Sequence, residues 1–482
     1  MPTRATVQPP APTSVEPPGP QRDVAKRRTP AYGGMQRPYD VPSPGPRRHR
    51  AWYLTTRARF LVAFMAATAW MGFSVWISLP WIHDLAQVIS LVPAVAVIAL
   101  IAFLPGHLIA FLAAGVLLDR QPRFTITHPT TALTVLIAAR NEAPVIGETL
   151  DYLATQDYGG PLHVLLIDNG SGDGTADVAR QAAARTGLAL SVVYEPRQGK
   201  SHALNHGLAA AQTSLLVTVD ADTLLHRSAI RLLVARLESS PRDVVAVAGD
   251  VMVRNSRSTI WSRLQMWDYL LGIAAVKRVQ GFFQGTLVAQ GAFSLYRTDA
   301  VRAAGGWPDA IGEDIVLTWQ LLRAGRVFYE PMALAFTSAP DGLHALTKQR
   351  SRWARGMLEG IRAVPPWRQP RGIARALTSI DLAIPFLDVA YVFAWLPGLV
   401  LAGFGRYWIV GPMTVTVLPV TLFVYWLLYR FQRRQVLEPL GLVARRDHGG
   451  FLLFLLGYQA LMSTMSVLGY AQQLLHRRRN WK

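Results

Sequence analysis

The sequence contains no cysteine, which rules out a disulfide framework and the cysteine-built zinc sites. Carboxylates are also scarce: 30 Asp and Glu stand against 49 Lys and Arg, for a formal charge of +19. Acidic residues that gather at the edge of an apolar segment therefore call for a compensating cation, because dehydrating an unpaired carboxylate is costly. Charge disappears altogether from two long stretches, 60–79 and 85–118. The first suits a hydrocarbon layer of ~30 Å. The second is longer than one span needs, so it is expected to tilt or to continue as a surface helix. Further apolar blocks at 383–404, 408–429 and 451–473 complete the pattern of a membrane protein.

Several familiar motifs are missing. The eleven histidines show no HExxH spacing, and "YEPRQGKS" has Tyr194 where a phosphate-binding loop needs glycine. "DNGSGDGT" follows a strand pattern but does not match the dinucleotide fingerprint. Residues 1–50 are rich in Pro and Arg and lack the apolar core of a signal peptide, so a disordered, basic cytoplasmic tail is expected. Much of the positive excess (Arg57, Arg59, Arg120, Arg123, Arg430, Arg433, Arg434, Arg445 and Arg446) flanks the apolar blocks. That is the positive-inside pattern and makes membrane lipid, not nucleic acid, the expected partner.

The middle of the chain has a different rhythm. Strand patterns at 134–139, 163–168, 189–194, 215–220, 244–248 and 287–296 alternate with helical ones at 143–156, 175–186, 201–212 and 227–238. Such alternation predicts an α/β fold with a mostly parallel sheet, whose ligands bind beyond the carboxyl ends of the strands. Asp168 and Asp220 stand at such ends. Asp220 and Asp222 in "LLVTVDADTLL" form an Asp-x-Asp pair able to hold Mg²⁺ or Mn²⁺, hard cations that prefer oxygen ligands. The plainer alternative is that one of them caps the helix beginning near Arg227. Glu313 and Asp314 in "IGEDIVLTW" could open a helix, and "KQRSRWARGM" at 348–357 could be an amphipathic interfacial helix anchored by Trp353.

Asp168, Asp220-Ala221-Asp222, Gly312-Glu313-Asp314 and Gln349-Arg350-Ser351-Arg352-Trp353, taken in order, resemble the D, DxD, (T/G)ED and QxxRW set of the processive family-2 inverting glycosyltransferases. Those are the cellulose, chitin, hyaluronan and poly-N-acetylglucosamine synthases. The resemblance covers roughly 134–360 and implies a GT-A-type domain inserted between transmembrane helices. It implies that Asp168 contacts the uridine of a UDP-sugar, with Lys200 near the nucleotide. Asp220 and Asp222 hold the diphosphate through Mg²⁺ or Mn²⁺. Asp314 is the general base beside Glu313, Gln349 and Arg352 serve the substrate, and Trp353 is a platform near the acceptor sugar. The implied reaction polymerises a β-linked polysaccharide from UDP-N-acetylglucosamine, with UDP-glucose next, in a bacterial-type inner membrane and coupled to export. The growing polysaccharide, membrane lipids and a small membrane accessory subunit are the implied partners. A non-processive transferase to a lipid-linked acceptor is the alternative enzyme, and a non-catalytic transport or scaffold subunit the alternative from another class.

The implied domains are a tail at 1–50, two spans at 51–120, the cytosolic GT-A domain at 121–345, interfacial helices at 346–376 and about three membrane segments at 377–482. This arrangement contains a conflict. Three carboxyl-terminal spans would put "HRRRNWK" outside, against the positive-inside rule. Either one block is re-entrant, or an additional crossing lies within 376–404, where Pro385 and Pro397 interrupt the helix. Asp388, inside that stretch, is expected to face other helices or a polymer channel, since intramembrane carboxylates rarely face lipid.

Overall fold

The computed structural model describes residues 32–33, 54–370, 372–444 and 447–475. Apart from Tyr32 and Gly33, the expected disordered tail lies outside the described residues, as do Arg445, Arg446 and the basic end at 476–482.

An eight-stranded sheet organises the middle of the chain. Its strands are β1 (Leu133–Ala139), β2 (Leu162–Asp168), β3 (Leu190–Tyr194), β4 (Leu215–Val219), β5 (Leu224–Leu225), β6 (Val244–Val253), β7 (Phe293–Arg297) and β8 (Arg326–Thr337), in the order β3-β2-β1-β4-β7-β6-β8-β5. The four strands β3, β2, β1 and β4 run parallel. Each is a short run of branched apolar residues, and β1 and β4 are buried on both faces, as helix-covered parallel strands should be. Beyond β4 the sheet becomes mixed: β7 is antiparallel to β4 and β6, β6 is parallel to β8, and β8 is antiparallel to β5.

Several expectations need correction. The pattern at 287–296 yields a strand only from Phe293, and the residues before it form a loop that enters the site. The strand at Arg326–Thr337 was not anticipated, because its aromatic and charged residues mask the alternation. Neither Asp220 nor Asp222 caps a helix. They sit in a turn, and Ser228 precedes the helix Ala229–Glu238.

Among the described residues, four helices are long and apolar enough to cross a membrane: Thr56–Ile77, Leu91–Leu117, Gly372–Gly403 and His448–Leu474. Pro412–Gln432 is a further apolar helix of 21 residues, which at 1.5 Å per residue is roughly 30 Å long. The stretch 85–118 is not continuous. The backbone turns at Ser90 (φ 69°) between the helices Leu79–Ile89 and Leu91–Ile98. By contrast, Pro385 and Pro397 do not divide 376–404. A π-helical turn at Tyr391–Trp395 precedes Pro397, which then stands in the first turn of Leu396–Gly403. There a proline's missing N–H costs least. Asp388 faces the last helix, where it accepts hydrogen bonds from Ser463 Oγ (2.8 Å) and Tyr470 OH (2.7 Å).

His448–Leu474 touches the helices beneath the sheet along its length. Phe451 packs edge-on against Trp267 at 5.1 Å, and Arg350 donates to the Tyr458 hydroxyl at 3.2 Å. Farther along, Gly469 lies so close to Ser351 that a Cβ there would stand 2.4 Å from its carbonyl oxygen. Near the end, Gln473 accepts from Arg355 at 3.1 Å. The opposite face exposes Leu452, Leu453, Leu456 and Leu468.

Candidate active site

The site begins at the carboxyl ends of the parallel strands. β2 ends at Asp168, which accepts from the Ser171 amide at 2.9 Å. The next residue, Asn169, is buried and organises the loop that follows β3. Its amide nitrogen donates to the Glu195 and Arg197 carbonyls, and its Oδ1 accepts from the Gly199 amide at 2.8 Å. Gly199 (φ 143°) adopts a backbone angle that L-residues rarely take, and it delivers Lys200 as the first residue of the helix Lys200–Ala210.

Lys200 is the cation opposite the acidic pair. Its Nζ lies 2.5 Å from Asp220 Oδ1 and 4.0 Å from Glu313 Oε1. Burial disfavours this ammonium, but Asp220 and Glu313 outweigh that effect, so its pKa is raised. The loop before β7 passes close by, and a Cβ on Gly291 would come within 2.8 Å of the ammonium. A side chain at this position would have to displace the lysine tip.

Asp222 lies one turn beyond, with Thr337 Oγ1 at 3.4 Å from both its carboxylate oxygens. Burial, then Asp220 and Glu142, push its pKa up to about 6. Lys200 engages one oxygen of Asp220, which leaves the remaining negative charge of the pair under-compensated. Two crowded carboxylates of this kind suit a hard divalent cation shared with the oxygens of a phosphate ligand. Among the described residues no group of three or more His, Cys, Asp or Glu is arranged to hold a metal.

Glu313 and Asp314 open the helix Glu313–Ala324 and point to different neighbours. Glu313 faces Lys200, and its pKa is raised by burial and by Asp314. Asp314 accepts from the Gly291 amide at 3.3 Å and the Ile315 amide at 2.9 Å. Thr318 ties this helix to the incoming loop by donating to the Asp314 carbonyl (2.6 Å) and accepting from the Ala289 amide (2.9 Å).

The helix Leu343–Ala363 carries Gln349, Arg352 and Trp353. It meets the Glu313–Asp314 turn backbone to backbone: a Cβ on Gly312 would stand 2.7 Å from Gly356 Cα. Arg350, which had no assigned role within "QRSRW", is the buried fastener of this helix. It pairs with Asp268 at 2.8 Å and lies 4.2 Å over the Trp353 ring. Trp353 itself is 37% exposed, and Arg352 is exposed. Gln349 lines a polar cleft of about 630 Å³ with Glu148, Arg254, Asn255, Ser338 and Asp341, and its Oε1 is buried without a partner.

Tyr269 joins the two halves of the site. It follows Asp268 in the π-helical turn Asp268–Ile273, and its pKa is pushed up to about 12, mainly by burial. Asp268 and Asp222 add to the shift, whereas Arg350 and Arg352 oppose it. Asp222 and the arginines of the QxxRW helix thus both act on this one hydroxyl. Lys200, Asp220 and Glu313 come together directly, and Asp314 joins them through Gly291. Asp168 connects through the Asn169 loop. Sequence reasoning missed Asn169, Asp268, Tyr269, Gly291 and Thr337. The available signals were the residue beside Asp168 and the glycine in "VAQGAFS", whereas nothing local marked Asp268 or Tyr269.

Residues 129–356 match the family described as "Glycosyltransferase like family 2". The chain therefore carries a glycosyltransferase family 2 domain, a mixed α/β sheet of GT-A type flanked by candidate membrane helices. Over 241 residues it is 32% identical to the poly-beta-1,6-N-acetyl-D-glucosamine synthase of Staphylococcus aureus (strain COL), covering 50% of this chain and 57% of the relative. The synthase of the same name from Staphylococcus epidermidis is 30% identical over 226 residues, 46% of this chain and 54% of the relative. The chain thus spans little more than half the length of these curated relatives. Among solved structures, the mannosyltransferase PcManGT from Pyrobaculum calidifontis, in complex with GDP-Man and Mn²⁺, superposes with a TM-score of 0.53 at 22% identity. That superposition covers 80% of this chain and 99% of the mannosyltransferase and shows a shared fold.

Proposed function

We propose that this protein is a membrane-embedded processive glycosyltransferase that builds a β-linked polysaccharide from a UDP-sugar, with UDP-N-acetylglucosamine favoured and UDP-glucose next. The observation that carries the proposal is the position of the Glu313–Asp314 turn. It contacts the Lys200–Asp220 pair on one side and, through Gly312 and Gly356, the QxxRW helix on the other. Donor-side and acceptor-side groups thereby meet at one pair of carboxylates. The similarity to poly-N-acetylglucosamine synthases supports the choice of sugar.

In this reading Asp168 and the Asn169 loop hold the nucleoside, while Lys200 and Arg352 approach the diphosphate. Asp220 and Asp222 would hold Mg²⁺ or Mn²⁺, which when bound supplies positive charge for the diphosphate. Asp314 takes the proton from the attacking acceptor hydroxyl, and attack from the face opposite an α-linked leaving group yields a β-linkage. Glu313 keeps Lys200 placed. The Trp353 face lies against the acceptor sugar, because an aromatic ring suits the apolar face of a pyranose.

We further propose a cytosolic catalytic domain and four crossings: Thr56–Ile77, Leu91–Leu117, Gly372–Gly403 and Pro412–Gln432. His448–Leu474 would then lie along the membrane interface. Its contacts with Trp267, Arg350 and Ser351 on the domain-side helices, and its leucine-rich outer face, support this, while Ser463 and Tyr470 reach Asp388 of the third crossing. Arg430, Arg433 and Arg434 end the fourth crossing on the cytosolic side, which satisfies the positive-inside rule.

The decisive experiment supplies purified protein with Mn²⁺ and radiolabelled UDP-N-acetylglucosamine or UDP-glucose. The product is then sized and digested with linkage-specific hydrolases. Long products that yield to a β-N-acetylglucosaminidase are expected. Single-sugar addition to lipid would favour the non-processive alternative, and no UDP release from any donor would reject the enzymatic reading.

A further inference from the structure

The helix Leu343–Ala363 runs on well past Trp353, where the QxxRW motif ends. On an amphipathic interfacial helix the charged residues of that extension belong in water, yet two of them are buried. Arg355 is 9% exposed and Glu359 8%. Glu359 stands one turn after Gly356, on the face that meets the Glu313–Asp314 turn. Its carboxylate bridges two other elements. Oε2 accepts from the Ile311 amide at 2.6 Å, and Oε1 accepts from Gln473 Nε2 at 3.4 Å. Gln473 Oε1 in turn accepts from Arg355 Nε at 3.1 Å. Three side chains thus join the QxxRW helix, the chain just before Asp314 and the helix His448–Leu474.

The Ile311 amide is a sensitive place to hold the chain. Gly312 precedes the helix Glu313–Ala324 and has no side chain with which to cap it. The start of that helix is fixed from outside instead. Gly312 abuts Gly356, Ile315 lies so close to Gly360 that a Cβ there would stand 2.7 Å from its Cγ2, and Glu359 holds Ile311. Of these three contacts only the last is a charge-assisted, directional bond, whereas close packing alone permits sliding. The Asp314 carboxylate is itself held by the Gly291 and Ile315 amides, so it follows the turn. Tyr470, one turn before Gln473, donates to Asp388 of Gly372–Gly403. One end of the helix His448–Leu474 therefore grips both a candidate crossing and Glu359.

We infer that Glu359 is a positioning residue for glycosyl transfer, holding the Glu313–Asp314 turn through the Ile311 amide, with Gln473 tying this hold to the helix His448–Leu474. Glu359 acts through the turn and not on a substrate. Without its carboxylate the turn drifts, and a displacement of ~1 Å at a reacting group can lose about 100-fold in rate. Asp168, Lys200 and Asp220 are carried by other loops, so nucleotide binding survives. The inference rests on the proposed role of Asp314 as the base.

The test separates turnover from binding in detergent-solubilised full-length protein. Sugar incorporation at saturating UDP-N-acetylglucosamine and Mn²⁺ is measured beside calorimetric UDP affinity. Glu359→Ala should lower turnover about 10- to 100-fold. Glu359→Gln keeps an oxygen for the Ile311 amide and should recover most of that loss. Glu359→Asp keeps the charge but falls one methylene short, so it should lose nearly as much as Glu359→Ala and replaces it if that variant does not fold. Gln473→Leu should lower turnover about threefold, the effect of one neutral hydrogen bond. It should add nothing to Glu359→Ala or Glu359→Asp, because the two residues act in series. UDP affinity should stay within about twofold throughout. Unchanged turnover in Glu359→Ala or Glu359→Asp, or an equal loss in Glu359→Gln, would overturn the hold on Ile311. Fully additive losses with Gln473→Leu would overturn the tie to the last helix. A parallel loss of UDP affinity would make Glu359 general scaffold and overturn the inference as a whole. The reading beneath it fails separately, by absence of UDP release from the wild type with every donor or by full incorporation in Asp314→Asn.

Discussion

The two halves of the sheet solve different problems. From β3 to β4 the strands are parallel and short, with β1 and β4 buried at the centre, and their carboxyl ends present Asp168, the Lys200 loop and Asp220. From β7 to β5 the sheet is mixed, and its two long strands, β6 and β8, are irregular. β6 and β8 shift register twice along their pairing. The Asp314 helix and QxxRW helix pack beside that half. The first half is organised locally: one loop and one helix amino terminus bring Lys200 to Asp220. The second depends on distant contacts, since Arg350 is held by Asp268 and by Tyr458 of the last apolar helix. The groups of the proposed donor side are thus built into the domain, while those of the proposed acceptor side are braced against the helix His448–Leu474.

Substitutions that spare one half and damage the other sharpen this contrast. The largest expected effect is at the junction. Asp314→Asn keeps its shape but cannot accept a proton, so sugar incorporation should fall by about 10²–10⁴ while calorimetric UDP affinity stays near normal. Substantial incorporation by that variant would transfer the base role to Glu313.

On the acceptor side, Asp268→Ala leaves Arg350 buried without its carboxylate, a change that typically costs about 3–5 kcal/mol. Thermal unfolding in detergent should register this loss. An unshifted transition would show that Tyr458 and the Trp353 ring suffice to hold the guanidinium.

On the donor side, Asp222→Ala should remove the Mn²⁺ dependence of UDP binding, weakening it at least about 10-fold at saturating metal. The same carboxylate predicts a pH effect. Its pKa stands near about 6, so it is ionised above that value and protonated below it. Protons compete with the cation as pH falls through 6, and Mn²⁺ affinity should drop about tenfold per unit below that point. A Mn²⁺ affinity that stays flat between pH 7 and pH 5 would place the metal elsewhere.

The smallest expected effect belongs to Trp353. Trp353→Ala should reduce elongation several-fold, about 1 kcal/mol for a lost ring contact, while Trp353→Phe retains most of it. Equal product lengths in the wild type and both variants would leave Trp353 as the stacking partner of Arg350 and nothing more.

The parallel half of the fold was legible in the sequence because each buried strand is a continuous apolar run followed by a helix. Each strand end therefore announces itself, as at "HVLLID" and "LLVTVD". The mixed half was not. "RVFYEPMALAFT" mixes charge, proline and aromatics, because its partners change along its length. The membrane blocks were visible as long apolar runs, uncharged except for Asp388. Whether His448–Leu474 crosses or lies flat was not visible, because an apolar face against protein and one against lipid share the same composition.

The order and spacing of Asp168, Asp220–Asp222, Glu313–Asp314 and Gln349–Trp353 were sufficient to identify the family of the domain, because such a set in sequence is chemically specific. The tertiary structure alone decided that Lys200 is the counter-charge of Asp220 and that Gly312 seats the QxxRW helix on Gly356. It alone decided that Arg350 fastens that helix to Asp268 and Tyr458. Those contacts join residues far apart in the chain, and their value depends on burial. Removal from water makes an ion pair, an orphan carboxylate or a missing Cβ energetically decisive, and no local pattern records which groups lose their water.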